Sequence, residues 1–533
     1  MASKIKLLLI FFVSFSSIIF SIEASKGSKS NITWWCNKTP HPEPCKHFIR
    51  RSHKHFRIKH LSELRTMMIR AAMDQAIAAN KHVKRCKPNV QTQHQRAVWS
   101  DCLKLYGNTI LQLNRTLQGL RRTRTGCTGF DAQTWLSTAL TNIKTCQTGF
   151  LELNVSDFTR PVMSSNLSKL ISNSLATNGV LLRVKNNTNS TSSVPSAYPS
   201  WLSGHERKLL QSPTLASSAN LVVAKDGSGR FRTIQAAIDA AARRRGSGRL
   251  IIYVKRGVYR ENIEVGINNN NIVLVGDGMN NTIITGSRSV GGGYTTYSSA
   301  TAGIDGLHFM ARDITFINTA GPLKGQAVAL RSASDLSVFY RCAFLGYQDT
   351  LMVYAQRQFY KSCYIYGTID FIFGNAAVVF QNCGIYVRRP LKGQANVITA
   401  QGRNDPYQNT GISVHNSRVL AAPDLKPVIR GFKTYLGRPW MQYSRVVFMR
   451  TYIDRLISPV GWSKWGNSNF ALDTLYYGEY KNFGPGSYTQ WRVRWGGFHV
   501  INNAVEASQF TVDRLIAGQT WLPATGVPFT LGI

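Results

Sequence analysis

The sequence predicts two domains of different fold class, an all-α four-helix bundle followed by an all-β domain. Four segments between residues 55 and 185 have apolar residues at every third or fourth position, which is typical of amphipathic helices. Beyond residue 211, short runs such as LIIYV and NIVLVG alternate with Gly and Asn turns, as strands do. Between the two parts, Asn, Ser, Thr and Pro dominate residues 186–220, which indicates a linker.

The first two dozen residues have the composition of a secretory signal. Lys4 and Lys6 precede an apolar run from Leu7 to Phe20, and small residues near Ala24 suit cleavage. A membrane anchor is the alternative, but the run is short for a span of about 20 residues. We therefore predict a signal peptide at 1–24 and a secreted protein with no membrane association after its removal.

Sequons for N-glycosylation also favour export, because such sites are modified only in the secretory route. The candidates are Asn31, Asn37, Asn114, Asn154, Asn166, Asn186, Asn189 and Asn280.

A strong excess of positive charge runs through the whole chain. The formal net charge is +38, of which residues 1–210 contribute +21 and residues 211–533 contribute +17. Such a charge favours polyanionic partners and speeds their capture. A secreted protein rarely meets nucleic acid, so the expected partner is an acidic polysaccharide.

The helical domain is predicted to span residues 30–185. Its segments are Leu61 to Ile77, residues 102–120, residues 135–150 and Leu167 to Leu182, which suggest an antiparallel bundle. Six of the nine cysteines lie in the first 150 residues. An even number in an exported region suggests disulfides, although the sequence alone does not fix their pairing. No Cys/His cluster has zinc-ligand spacing, and we expect no metal and no cofactor.

The linker is predicted to span residues 186–214. It contains Arg207-Lys208-Leu209-Leu210, a dibasic tetrapeptide at a domain boundary. We interpret it as a site for a processing protease that separates the bundle from the domain that follows.

The all-β domain is predicted to span residues 215–533, with one helix, from Thr233 to Arg245. Many short strands without intervening helices fit a sandwich, a barrel, a propeller or a β-helix. Gln326 and Asp349 are 23 residues apart and Asp349 and Asp370 are 21 apart. A solenoid coil has a repeat in this range, so the spacing favours the β-helix and would stack the two carboxylates.

Five motifs appear in order in this domain, and together they resemble the pectin methylesterases: GVYRE at 257–261, GQAVAL at 325–330, YQDTL at 347–351, DFIFGNA at 370–376 and LGRPW at 436–440. The N-terminal part is similar to the pectin methylesterase inhibitor family in WWCNKTPHPEPC, DCLKLY and TWLSTALTNIKTC. The resemblance implies a right-handed parallel β-helix, cell-wall location, and hydrolysis of galacturonate methyl esters in pectin with release of methanol.

The resemblance also assigns roles to residues. It implies that Asp370 is the nucleophile, Asp349 the proton donor and acid/base, and Gln348 the stabiliser of the transition state. Two carboxylates one coil apart are not both comfortably ionised, so their pKa values should separate. Gln348 and Gln326 offer NH₂ donors that suit an oxyanion hole. A guanidinium such as that of Arg438 favours the charged form of the carboxylate beside it.

Substrate contact is implied for Thr296, Gln326, Arg438 and Trp440, with Tyr347 and Phe371 as further groove candidates. Glu261 is interpreted as structural. The catalytic positions match the family, whereas Met352, Tyr354 and Ala355 differ from its commoner residues.

Family pairing implies disulfides Cys36–Cys45 and Cys102–Cys146. We further predict a third bridge between Cys86 and Cys127 and a fourth between Cys342 and Cys363, which leaves Cys383 without a partner.

Two alternatives stay open on the sequence. A pectic glycosidase or lyase would also use acidic residues on a β-helix, although the NTD and RIK signatures and a carboxylate-rich calcium cluster are absent from the all-β domain. A wall-binding protein with an inactive β-domain would have damaged catalytic positions, and these are intact. The expected partners are methyl-esterified pectin, inhibitor proteins and a protease, and the expected state is a monomer.

Overall fold

Helices and parallel strands occupy separate parts of the chain in the computed structural model. The structure describes residues 32–52, 58–87, 90–121, 126–155, 165–188, 215–244 and 248–533. The predicted signal peptide, the RKLL tetrapeptide and the sequons at Asn31 and Asn189 lie outside these residues.

The N-terminal domain contains a short helical hairpin followed by four long helices. Its helices are α1 (Ile32–Cys36), α2 (Pro42–Ser52), α3 (Leu61–Arg85), α4 (Gln93–Arg121), α5 (Gly129–Glu152) and α6 (Ser165–Thr188). The four helices predicted from periodicity are therefore confirmed, and the last one ends three residues beyond the predicted edge of the domain. Helix α5 begins with a capping box, in which Thr128 and Asp131 satisfy each other's backbone N–H groups.

The C-terminal domain is a parallel β-helix of three sheets. Sheet A contains β1 (Leu221–Val223), β2 (Leu250–Val254), β5 (Ile272–Gly276), β8 (Met310–Arg312), β11 (Ser337–Tyr340), β14 (Arg357–Lys361), β17 (Ala377–Gln381), β20 (Gly411–His415), β23 (Arg445–Met449), β25 (Tyr476–Tyr480) and β26 (Phe498–Val500). Sheet B contains β3 (Gly257–Arg260), β6 (Thr282–Gly286), β9 (Thr315–Asn318), β12 (Ala343–Leu345), β15 (Tyr364–Gly367), β18 (Gly384–Val387), β21 (Arg418–Ala421) and β24 (Tyr452–Ile453). Sheet C contains β4 (Ile263–Val265), β7 (Ala302–Ile304), β10 (Leu330–Ser332), β13 (Leu351–Val353), β16 (Ile372–Gly374), β19 (Asn396–Gln401) and β22 (Thr434–Gly437).

The coil length agrees with the spacing of the motifs. Leu330 pairs with Leu351 and Leu351 with Ile372, so both steps span 21 residues. In-register stacking fills the interior of the β-helix. The ring of Tyr360 stacks between those of Phe339 and Phe380, with centroids 4.7 Å apart in each pair. The predicted right-handed parallel β-helix is thus confirmed.

The helix predicted from Thr233 to Arg245 is present as α7 (Ile234–Ala242), which packs against the first strands and closes the N-terminal end of the β-helix. Its first two N–H groups, those of Ile234 and Gln235, donate to the Glu261 carboxylate at 3.0 Å. A carboxylate at a helix N-terminus is favoured by the helix dipole. Glu261 therefore has the structural role that the sequence analysis gave it. Near the other end, α8 (Ala504–Ser508) packs against the last strands of sheet A, whereas α9 (Val512–Ile516) packs against β17 on the outer face of that sheet.

Two of the four predicted disulfides are formed, Cys36–Cys45 and Cys102–Cys146. The predicted Cys86–Cys127 bridge is wrong. Cys127 lies near Arg65 at the start of α3, whereas Cys86 follows the end of that helix, about 30 Å away at 1.5 Å per residue.

The predicted Cys342–Cys363 bridge is also wrong. Cys342, Cys363 and Cys383 occupy the same position in successive coils, because Ala343, Tyr364 and Gly384 pair in register. Side chains stacked in this way point in parallel and their Cβ atoms do not converge. The thiols instead donate to backbone carbonyls, as Cys363 does to Phe339 at 3.3 Å.

The bundle lies against the outer face of sheet C. Apolar side chains of α4 and α5 form one continuous cluster with Tyr297, Met352, Tyr354 and Phe373 of the β-helix. Helix α5 is buried on most of its surface, because it lies between the other helices and the sheet. None of the described helices has the length and hydropathy needed to cross a bilayer.

Candidate functional site

Two acidic turns stand one above the other at the junction of sheets B and C. Asp349 lies between β12 and β13, and Asp370 lies between β15 and β16. Since Leu351 pairs with Ile372, the two aspartates occupy equivalent positions in neighbouring coils, about 4.8 Å apart along the axis. Both have left-handed backbone conformations, with φ of 60° and 50°. The structure therefore brings together the two carboxylates that the sequence predicted.

Arg438 joins this pair from two coils further along the chain. Its Nε donates to Oδ1 of Asp370 at 2.9 Å and its Nη2 donates to Oδ2 at 2.7 Å. The guanidinium also lies over the ring of Trp465, 4.4 Å from the ring centroid. This two-point contact fixes the orientation of the Asp370 carboxylate and favours its charged form.

The two carboxylates are buried to a similar extent but differ in their neighbours. Asp349 is 8% exposed and Asp370 is 5% exposed. Burial and the negative charges of Asp370 and Glu152 raise the pKa of Asp349 well above its usual range. Burial also raises the pKa of Asp370, but the hydrogen-bonded Arg438 opposes that effect. Asp349 is accordingly the carboxyl that keeps its proton, and Asp370 is the one that ionises first.

The other predicted site residues line the same cavity, whose volume is about 260 Å³. Gln326 and Gln348 are half-buried and adjacent, since the Ala327 N–H donates to the Gln348 carbonyl at 3.2 Å. Trp440 packs edge-on against Phe373, with ring centroids 5.9 Å apart. Thr296 completes the predicted set on the opposite wall.

Two of the further groove candidates have other positions. Phe371 is fully buried in the interior of the β-helix and does not reach the groove. Phe371 lies in the turn before β16, whereas side chains alternate within that strand, so Ile372 points into the interior and Phe373 lies on the outer face and lines the cavity. Tyr347 lies beside the cavity, with its ring against the guanidinium of Arg388.

Sequence reasoning missed several residues that line the cavity. Alternation along DFIFGNA could have identified Phe373, and Met352 was noted only as a departure from the family. Trp465 lies outside the motifs and had no local signal.

No sequence pattern predicted that the bundle contributes to the cavity, yet seven of its residues line it: Val98, Asp101, Thr145, Cys146, Thr148, Gly149 and Glu152. The Thr296 N–H donates to Oε2 of Glu152 at 3.0 Å, and the Thr295 hydroxyl donates to Asp101. Burial raises the pKa of Glu152 and raises that of Asp101 to about 6, against the weaker opposing effect of the hydrogen bonds from these threonines.

Polar contacts fasten the bundle beyond the cavity. The Tyr354 hydroxyl donates to Asn142 at 2.9 Å, and the Asn375 amide donates to Thr141 at 2.9 Å. The Trp135 indole N–H donates to Oδ2 of the buried Asp335 at 3.0 Å. The bundle therefore covers both aspartates in this arrangement.

Two family models match the chain, "Pectinesterase" over residues 220–519 and "Plant invertase/pectin methylesterase inhibitor" over residues 30–177. A probable pectinesterase/pectinesterase inhibitor of Arabidopsis thaliana is 62% identical over 509 residues, covering 95% of this chain and 94% of the relative. A pectinesterase of Citrus sinensis is 50% identical over 523 residues, covering 98% and 99%. The solved pectin methylesterase from carrot is 56% identical and superimposes with a TM-score of 0.58, covering 59% of this chain and 98% of that one.

Proposed function

The chain belongs to the pectinesterase family and hydrolyses methyl esters of pectin, and from that premise we propose which residues perform the reaction. Asp370 is the nucleophile, Asp349 the acid and base, and Gln348 with Gln326 the oxyanion donors. The observation that carries this assignment is the two-point contact of Arg438 with Asp370 and not with Asp349. It separates the roles of two carboxyls that are otherwise buried alike.

In the first half of the reaction, a carboxylate oxygen of Asp370 attacks the carbonyl carbon of the ester. The carbonyl oxygen becomes an oxyanion, which the side-chain amides of Gln348 and Gln326 stabilise by hydrogen bonds. The intermediate then breaks its bond to the methoxy oxygen, and Asp349 gives that oxygen its proton. Methanol leaves, and the galacturonate acyl group remains on Asp370 as an anhydride.

In the second half, Asp349 is a carboxylate and accepts a proton from water. The resulting hydroxide attacks the acyl carbon, and the bond to Asp370 breaks. Asp370 regains its charge, Asp349 keeps the proton for the next cycle, and the polymer gains a carboxyl group that ionises. Arg438 stabilises the charged form of Asp370 at the beginning and at the end of the cycle.

Trp440 and Thr296 are proposed to hold the polymer. The half-buried indole of Trp440 offers an apolar surface to sugar C–H groups, and Thr296 presents its backbone N–H to the cavity, where it meets the Glu152 carboxylate. The substrate also carries carboxylates, so this N–H is a suitable partner for one of them.

The bundle is proposed to block this site in the intact chain. Glu152 holds the Thr296 N–H, and α4 and α5 cover the cavity that contains both aspartates. A polymer cannot reach Asp370 while the bundle is docked. Cleavage in the predicted linker at 186–214 is then the step that allows its departure.

We propose export and N-glycosylation from the sequence, and the solvent exposure of several sequon asparagines supports this proposal. The sequon asparagines Asn37, Asn114, Asn154 and Asn280 are exposed, as glycosylated residues must be. A signal peptide at residues 1–24 and processing beside Arg207-Lys208 would deliver a basic β-helix to the cell wall. N-terminal sequencing of wall-extracted protein tests this, because a mature start near residue 25 would contradict processing.

The catalytic proposal is tested with the full chain in which a site for an added protease replaces residues 207–210. We expect little methanol release from highly esterified pectin before cleavage, and full activity once the bundle is cleaved and separated. The polymer should keep its length, which distinguishes an esterase from a glycosidase or a lyase. Equal activity before and after separation would contradict the blocking role of the bundle alone.

A further inference from the structure

The turn that carries Gln348 and Asp349 needs support from outside its own coil. Asp349 has φ of 60°, a left-handed conformation that is unfavourable for residues other than glycine. The middle of the turn bonds to the next coil, since the Asp349 N–H donates to the Ile369 carbonyl at 2.9 Å and the Thr368 N–H donates to the Tyr347 carbonyl at 3.0 Å. These bonds leave the Tyr347 side chain and the Gly346 carbonyl to be held by another group.

Arg388, which follows β18 directly, supplies that group. Its Nη1 donates to the Gly346 carbonyl at 3.0 Å, and its Nη2 donates to the Tyr347 hydroxyl at 2.7 Å. The centre of the guanidinium lies 3.8 Å from the centroid of the Tyr347 ring. One side chain thus holds the residue before Gln348 by a stacking contact and by a hydrogen bond.

The position of Arg388 relates the two catalytic turns to each other. Its backbone N–H donates at 2.8 Å to the carbonyl of Gly367, in the strand that leads to Asp370. Its side chain reaches past that coil to the end of β12, the strand that leads to Asp349. Arg388 therefore spans two coil steps, or about 10 Å. Nε also donates to Asp424 at 3.3 Å, which orients the guanidinium plane.

We infer that Arg388 is a positioning residue, which fixes the Tyr347-Gln348-Asp349 turn relative to Asp370. This inference rests on the proposed roles of the aspartates and of Gln348. This role requires an arginine, because a lysine would keep the charge but lose both the second hydrogen bond and the planar group that stacks on Tyr347.

The test uses the full chain cleaved in the linker, freed of the bundle, with Arg388→Lys and Arg388→Gln. Both variants should lower kcat by about 10- to 100-fold, the scale of an ångström-level displacement of a catalytic group, with KM within about twofold. The pH profile should stay in place, since Arg388 is not among the charges that shift the pKa of Asp349, and those left after removal of the bundle, Asp370 and Arg438, are unchanged.

Arg389 provides the matched control, because it is the exposed neighbour and has the same charge. Arg389→Lys and Arg389→Gln should leave kcat unchanged. If Arg388→Lys retains full kcat while Arg388→Gln raises KM, Arg388 binds the polymer by its charge and the inference is overturned. Wild-type kcat in both Arg388 variants, with Asp370→Asn inactive, would overturn it and leave the proposed function standing.

Tyr347→Phe gives a second measurement if an Arg388 variant folds poorly. It keeps the stacking contact and removes only the hydroxyl, so kcat should fall less than in Arg388→Gln. The double variant should be no slower than Arg388→Gln alone, because both changes remove the same hydrogen bond. Losses that simply multiply would show that the two residues act independently and would contradict the inference.

Discussion

Two groups of buried carboxyls, both in the contact between the bundle and the β-helix, have opposite electrostatic surroundings. In the catalytic cavity, burial raises the pKa values of Asp349, Asp370, Glu152 and Asp101. In the region that we call the anchor, which consists of Asp335 and Asp305 with their cations, the pKa values of both aspartates are held well below the usual range. Burial alone therefore does not decide the charge of these groups.

Cations account for the difference. Oδ2 of Asp335 accepts from Nη2 of Arg357 at 2.7 Å, and Oδ1 of Asp305 accepts from Nη1 of Arg331 at 2.6 Å. Lys104 of the bundle also reaches Asp305, at 2.8 Å. The anchor therefore holds permanent charges, which suit docking, and the cavity holds exchangeable protons, which suit acid–base chemistry.

The largest difference expected from this contrast is between the variants Asp370→Asn, which should lose activity, and Asp335→Asn, which should lose stability. Loss of Asp370, the proposed nucleophile, should lower methanol release by about 10⁴-fold or more. It should change stability little, because Arg438 is partly exposed and remains solvated. Asp335→Asn should lower the free energy of unfolding by about 3–5 kcal/mol, because the buried Arg357 loses the carboxylate that accepts from its Nε and Nη2 and keeps only the partly exposed Asp131, while the folded fraction keeps its turnover.

Measurements of methanol release per folded molecule and of unfolding by denaturant distinguish the Asp370→Asn variant from the Asp335→Asn variant. Similar losses of turnover in both variants would show that the division between cavity and anchor is wrong.

The next effect concerns the neutral donors of the cavity. Gln348→Ala should lower kcat by about 10²–10³-fold, the usual loss when one oxyanion donor is removed. Gln442→Ala, at an exposed position outside the cavity, is the control and should retain wild-type rates. A loss confined to KM would make Gln348 a substrate-binding residue instead.

Docking of the bundle should depend on pH, because the carboxyls that it buries in the cavity have raised pKa values. Asp101 has an ordinary pKa near 3.8 when exposed and a pKa of about 6 when docked, so docking takes up a proton. Its stabilising contribution is complete below pH 3.8 and is lost as the pH rises to about 6. Two pKa units correspond to roughly a hundredfold weaker docking.

The groups around these carboxyls support that sign. Asp101 meets Thr295, Ser298, Lys104 and Arg331, and the cations offset only part of the effect of burial. Glu152 meets Thr296 and lies close enough to Asp349 for mutual repulsion. Dissociation of the cleaved bundle should be measured between pH 4 and 7, with Asp101→Asn expected to flatten the profile. Tighter docking at neutral pH would contradict the sign.

The smallest effect is expected at the edge of the anchor. Oδ1 of Asp131 lies 2.7 Å from Nη1 of Arg357, and the Asp131 side chain is 21% exposed. Asp131→Asn should weaken docking by no more than about fivefold, since a partly solvated ion pair contributes up to about 1 kcal/mol. The effect should shrink in high salt. An effect that high salt leaves unchanged would contradict this expectation.

Local patterns were sufficient for the helices and strands and for the stacking of the two aspartates. The three- and four-residue periodicity of residues 102–120 predicts α4, because an amphipathic helix needs one apolar side whatever it packs against. The spacing of Asp349 and Asp370 predicts their stacking, since a solenoid repeats its path. The cysteine errors have the opposite cause, because pairing depends on which helix ends meet and where each Cβ points.

The sequence by itself determined the two domains, their order, the coil repeat and the chemical groups that converge on the cavity. Only the tertiary structure decided that Glu152 holds the Thr296 N–H, that α5 lies over the two aspartates, and that Arg388 braces the turn before Gln348. Periodicity and motifs reflect interactions within one helix or between neighbouring coils. Contacts between residues 144 positions apart, such as Glu152 and Thr296, depend instead on the complementarity of two surfaces that fold separately.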